Sequence, residues 1–250
     1  MRTPCLLRFT ALCLLPASLL LASCTKTDTP APTPAPDQGR VMFINAASHI
    51  APTTLKFMVD NSEKASQAYA TGSSYQGLNV GTTSVQVTVG TQTALTSALI
   101  VEKNKNYTFL ATPASSPSTV GGLLLSDDLT VPGTGRSRIR LVNLGQGTSL
   151  PSPLRLSQIT TTVNGPVVAD LATNVANGTG SGFVEFNAST YTLSVLDNAG
   201  NTIAVVGDGT GTGTGVYKYT EGKIYTVVLS GTVGSLNNDQ KIKAYLLGNN

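Results

Sequence analysis

Tryptophan is absent from the 250 residues, histidine occurs once, and all three cysteines fall within the first 24 positions. Each scarcity closes a class of chemistry. A single histidine, His49, and no cysteine after Cys24 leave too few ligands for the usual zinc sites, so no metal site and no cofactor is expected. The chain beyond Cys24 can form no disulfide, although an exported protein could use one. Its stability must come from packed cores. A Ser-His-Asp arrangement would have to use His49, yet Ser48-His49 has no nucleophile elbow near it; a turn histidine is the expectation. Long apolar runs are missing too. The one sustained stretch, Phe9 to Leu21, is 13 residues long, against the roughly 20 needed to span a bilayer.

That short run suits the core of an export signal, with Arg2 and Arg8 as its charged start. It ends in Leu21-Ala22-Ser23-Cys24, which resembles a bacterial lipobox. Residues 1–23 are therefore expected to be a lipoprotein signal peptide and Cys24 the lipidated first residue of the mature chain; the alternative is an ordinary secretory signal with Cys24 incidental. Removing Arg2 and Arg8 takes the 16 basic residues to 14, against 13 acidic ones, a net charge of +1. No nucleic-acid partner is expected at that balance. Residues 24–38 carry prolines at 30, 32, 34 and 36 and form a spacer. At about 3.1 Å per residue in an extended polyproline conformation, it could hold the body on the order of 40 Å from a membrane. Stable attachment takes several acyl chains. The expected location is the cell envelope, lipid-anchored, in the outer membrane.

From Gly39 onward short apolar runs alternate with Gly, Asn, Thr and Ser. Period-two alternation is clear at 85–89 (VQVTV), 191–195 (YTLSV) and 242–246 (IKAYL), each placing apolar side chains on one face of a strand. Residues 198–201 (NAGN) predict a hairpin turn. The best helical candidate, Ser62 to Ala68, is barely two turns long. The class is all-β.

The body also repeats itself. Arg40-Val41-Met42-Phe43-Ile44-Asn45 matches Arg138-Ile139-Arg140-Leu141-Val142-Asn143 at an offset of 98. Thr71 to Tyr75 matches Thr179 to Phe183 at 108, Val85 to Val89 matches Tyr191 to Val195 at 106, and Lys105 to Thr108 matches Lys223 to Thr226 at 118. Similarities in the same order predict a duplicated domain, with copies over 39–132 and 136–250 joined by Pro132-Gly133-Thr134-Gly135. Each is near the usual size of a sandwich domain with its own core. The last growth in offset falls at Gly207–Gly215 (GDGTGTGTG), expected in an exposed loop. That run lacks the Gly-Lys-Ser/Thr ending and following helix of a phosphate-binding loop.

The opening strand ending in Asn, the Tyr or Phe after a Thr-Gly-Ser turn, the Lys-x-Tyr-Thr strand and the ending LLLSDDL (123–129) together resemble the domain-of-unknown-function 4397 family. The second copy departs from it at its end, where Gly248-Asn249-Asn250 replaces the acidic pair. The resemblance implies tandem Ig-like antiparallel β-sandwiches behind a lipoprotein signal, in an extracytoplasmic location. It implies no activity.

Few residues are candidates for a site. Arg136, Arg138 and Arg140 alternate along one strand, opposite Ile139 and Leu141. They are read as a solvated face or edge, as partners of Asp127 and Asp128 across the junction, or as a small basic stripe for an anionic polysaccharide. Tyr217 and Tyr219 share a face beside the glycine run, where they could stack on sugar rings or simply pack across strands. Asp127-Asp128 are adjacent on a strand and so suit glycosidase chemistry poorly; capping of the interdomain turn is preferred to calcium. Asp197, Asn198, Asn201 and Asp208 crowd predicted turns without calcium-loop spacing. The expected function is a non-catalytic structural or protein-binding role, its partners being the membrane, through Cys24, and an envelope protein or polysaccharide. The alternatives are a glycan-binding accessory lipoprotein and, least favoured, a hydrolase.

Overall fold

The computed structural model describes residues 37–163, 165–207 and 215–250. The expected signal peptide, Cys24 and the proline-rich spacer lie outside the described residues, as do Asp208 and the interior of the Gly207–Gly215 run.

Eight strands make the N-terminal half: β1 (Gln38–Asn45), β2 (Leu55–Val59), β3 (Ser62–Gln67), β4 (Gln76–Asn79), β5 (Gly81–Val89), β6 (Gln92–Val101), β7 (Asn106–Thr112) and β8 (Gly121–Asp127). They form two sheets, ordered β4-β1-β7-β8 and β3-β2-β5-β6. The alternation at 85–89 works as expected: Val85 and Val87 are fully buried among Phe43, Phe57 and Phe109, while Ser84 faces outward. The segment 62–68 is no helix. Asp60 and Asn61, both at positive φ (47° and 65°), make a two-residue turn that folds Ser62–Gln67 back onto β2. Two consecutive left-handed residues suit the twist of a tight hairpin, and pairing overrides the weak helical preference of so short a segment.

The C-terminal half holds β9 (Arg136–Gln146), β10 (Leu154–Thr162), β11 (Gly165–Val175), β12 (Thr179–Gly180), β13 (Val184–Asn187), β14 (Thr190–Leu196), β15 (Thr202–Gly207), β16 (Val216–Lys218), β17 (Ile224–Thr232) and β18 (Lys243–Gly248). Strand neighbours correspond to those of the first half. Parallel pairing of Met42 with Thr108 in β1/β7 is matched by Arg140 with Thr226 in β9/β17. The Ile44–Gly72 bridge is matched by Val142–Gly180. The predicted turn at 198–201 joins β14 to β15, with the Asp197 carboxylate accepting from the Asn201 N–H and side-chain amide.

One difference between the halves lies in the strand that follows β5 or β14. Where β6 runs unbroken along β5, its counterpart is split in two. β15 leaves β14 after Val205 and pairs in parallel with β18 at Val206 and Gly207, while β16 resumes pairing with β14. This joins both C-terminal sheets into one ten-stranded sheet. The split falls at the glycine run, where the growing offset placed an insertion.

Each half has its own apolar core. A third cluster lies between them: Met42, Ile44 and Leu110 from one sheet pack against Val142, Val228 and Tyr245 from the other. The described residues therefore belong to one compact unit rather than to two sandwiches joined only by the 132–135 turn.

Candidate functional site

At Arg138 and Arg140 the arginine-bearing face of β9 is covered by the N-terminal half. Arg140 is the most deeply placed. Its Nη1 lies 2.7 Å from Asp127 Oδ1, with 2% and 0% of the two side chains exposed. Its Nη2 donates to Thr108 Oγ1 at 2.9 Å and its Nε to Thr226 Oγ1 at 3.0 Å. The guanidinium stacks 4.4 Å from the ring centre of Phe183, an arrangement in which a cation gains from the ring's negative face. Buried charges persist only when paired and hydrogen-bonded, and each of the three guanidinium nitrogens has an oxygen within 3.0 Å.

The network continues on both sides. Asp127 Oδ2 accepts from Thr108 Oγ1 at 2.6 Å and from the Tyr75 hydroxyl at 2.5 Å. Asn249 Nδ2 donates back to Tyr75 at 3.1 Å, and Thr226 Oγ1 donates to Asn249 Oδ1 at 2.7 Å. Burial, with the Asp127 charge beside it, pushes the Tyr75 hydroxyl well above the usual tyrosine range. Arg138 holds the rim: its Nη2 lies 2.8 Å from Asp128 Oδ2, and its Nη1 donates to the carbonyls of Asp128 and Thr130. Asp128 Oδ1 also accepts from the Thr130 N–H and hydroxyl, so it caps the start of the interdomain segment. These bonds, Arg138 foremost, hold its carboxyl well below the usual carboxylate range.

Of the three readings of these arginines, pairing with Asp127 and Asp128 is the one the contacts of Arg138 and Arg140 match. The three arginines do share one face, but Arg138 and Arg140 are bound to Asp128 and Asp127 as partners across the junction, and only Arg136 is exposed. The tyrosine pair separates as well. Tyr219 is 1% exposed within the second core, in edge-to-face contact with Phe186 and Tyr225, while Tyr217 is 46% exposed. The two rings still touch, 5.0 Å apart, and Tyr217 stands opposite Tyr191 across strands. His49 sits in a short 3-10 turn with Nε2 at 2.9 Å from the Thr119 carbonyl. Among the described residues no group of three or more His, Cys, Asp or Glu side chains is arranged to hold a metal ion.

Two hollows lie near these residues. One, of about 360 Å³, opens between the halves and is lined by Met42, Gly72, Tyr75, Leu247, Asn249 and Asn250. The other, of about 370 Å³, is lined by Tyr217, Thr220, Lys223, Tyr225, Leu246 and Asn250. The first was not visible in the sequence. It lies where Met42 occupies the register position that Arg140 holds in the other half, so the long guanidinium that fills one side has no counterpart there.

Sequence comparison yields no match among curated proteins. Residues 39–149 match the family described as Domain of unknown function (DUF4397). That span takes in the whole N-terminal sandwich and strand β9, and with it Arg40, Asp127, Asp128 and the three arginines. The family model matched over 39–149 is the one that the opening strand and the LLLSDDL ending resemble.

Proposed function

We propose that this chain is a membrane-anchored envelope lipoprotein whose body, tandem copies of one Ig-like sandwich on a proline-rich spacer, has a non-catalytic structural or protein-binding role. The observation that carries this reading is where the charge is spent. The charged side chains that sequence reasoning singled out at the junction, Arg138, Arg140, Asp127 and Asp128, are taken up in contacts between the two halves. Such an arrangement favours a stiff block for presentation or assembly over a reaction centre, since catalytic groups need an open position for the reacting atom. The Leu-Ala-Ser-Cys ending and the spacer supply the tether. Replacing Cys24 by Ala should abolish palmitate incorporation and release the chain from the membrane fraction. Continued incorporation of radiolabelled palmitate would sink the anchor.

Glycan binding remains the second reading, favoured by one feature. Tyr217 and Tyr225 line an open hollow beside Lys223, and an aromatic wall with a nearby cation suits a sugar ring carrying an acidic group. An array of anionic envelope polysaccharides probed with the parent chain and with Tyr217→Ala distinguishes the readings. A hit lost in the variant makes this a carbohydrate-binding protein, and a blank array leaves protein partners.

A further inference from the structure

Two outer edge strands occupy corresponding places in the halves, and they are built differently. β3 and β11 each close a sheet and each has one neighbour among the described residues, β2 and β10 respectively. β3 is six residues long and carries Glu63 and Lys64, with Glu63 paired to Lys56 at 2.9 Å. A short, charged edge of that kind discourages further strand pairing. β11 has eleven residues, GPVVADLATNV, and neither lysine nor arginine. Its single charge, Asp170, is taken up by Arg155 at 3.0 Å and by the Ser157 hydroxyl at 2.6 Å. Val167 and Val168 are 54% and 47% exposed, and as neighbours on a strand they put apolar surface on both faces.

Each end of β11 carries a guard. Register shifts opposite Leu154–Ser157, with Asn174 at a φ of 58°, mark a bulge in its C-terminal part, which twists an edge away from further pairing. Pro166 contributes no N–H at the other end. Between them Val167 to Asp170 presents an unguarded run of backbone donors and acceptors.

We propose that this run pairs antiparallel with the same run of a second copy of the chain, about a two-fold axis near Val168. A two-fold contact requires only that the edge complement itself. Valines then meet valines, and the Arg155–Asp170 pair removes the like-charge repulsion that an acidic edge would bring. The choice of a second copy over a foreign strand rests on the anchored reading above, because tethering to one surface raises the effective concentration of like chains.

The test uses the full chain in its own membranes. Since no cysteine follows Cys24, Val167→Cys, Val168→Cys and Ala169→Cys each introduce the sole thiol of the body. Directly opposed antiparallel residues lie about 4.5–5.5 Å apart, within reach of a disulfide. Mild oxidation should give a reducible species of twice the chain mass for at least one of the three, absent from the parent chain and from Lys64→Cys. Adding a lysine beside the thiol, as Val167→Lys in the Val168→Cys chain, should lower the crosslinked fraction roughly tenfold with protease resistance unchanged. Absence of the doubled species at all three positions overturns the proposal, as does a crosslink of any other mass, which reassigns the edge to a foreign strand. A doubled species that persists when Cys24→Ala frees the chain from the membrane upholds the pairing and removes only the anchor.

Discussion

Arg140 and Asp127 belong to different halves of the body and meet at 2.7 Å in a space closed to solvent. Their register counterparts are Met42 and Asn249, so the two sides of one junction carry opposite chemistry: a salt bridge on one, a thioether and an amide on the other. Removing one member of a buried pair leaves the other uncompensated, at about 3–5 kcal/mol. Arg140→Met and Asp127→Asn should each cost that much. The double variant, which copies the opposite side, should return to within about 2 kcal/mol of the parent. Urea unfolding measures all three, and near-additive losses in the double variant would show that the pair does not act as a unit.

Close approach of the two sheets should be equally exacting. A Cβ at Gly180 would stand 2.9 Å from Leu125 Cδ1 of the other half. Gly180→Ala is expected to cost about 1–3 kcal/mol through overpacking, read as a lowered Tm. A Tm unchanged within error would mean that Leu125 has room to move aside.

Acid should loosen the rim of the junction. Hydrogen bonds from Arg138 and Thr130 depress the Asp128 carboxyl when folded, so its contribution is complete above the unfolded value, near 3.9, and is lost as pH falls through the lower folded value. Asp128→Asn should therefore flatten the fall in stability below about pH 4 relative to the parent. Parallel pH–stability curves for parent and variant would contradict this. The side chain is 59% exposed, so the effect should shrink in high salt.

The two tyrosines should separate cleanly. Tyr219→Ala empties a buried site and is expected to cost about 3–5 kcal/mol, while Tyr217→Ala should cost under about 1 kcal/mol. Because the Tyr219 hydroxyl is buried without a hydrogen-bond partner among the described residues, Tyr219→Phe should be neutral or stabilising. Thermal unfolding of the three variants decides the matter, and a large loss in Tyr219→Phe would point to a bond the hydroxyl makes in solution.

Much of this architecture was legible because period-two patterns report burial directly: Val85, Val87, Leu193 and Val195 are all fully buried. The 62–68 segment was missed because its decisive signal, the Asp60-Asn61 turn, precedes it. The alternation of Arg136, Arg138 and Arg140 identified their shared face but not what covers it. A strand's pattern carries no information about the sheet stacked on it, and charged side chains ordinarily face water. Only the proximity of an acidic pair hinted at the junction. The hollow beside Met42 and the open edge of β11 depend on which strands end up as neighbours, a long-range property that no local spacing encodes.

The position of β1 has a mechanical consequence. It enters the body at Gln38 and lies inside its sheet, antiparallel to β4 and parallel to β7 along Arg40–Asn45. A pull arriving through residue 37 acts along these ladders and loads their hydrogen bonds together in shear. An edge strand drawn sideways would part them one after another. Single-molecule extension from the Gln38 end should therefore meet its first high-force event at the β1–β7 ladder.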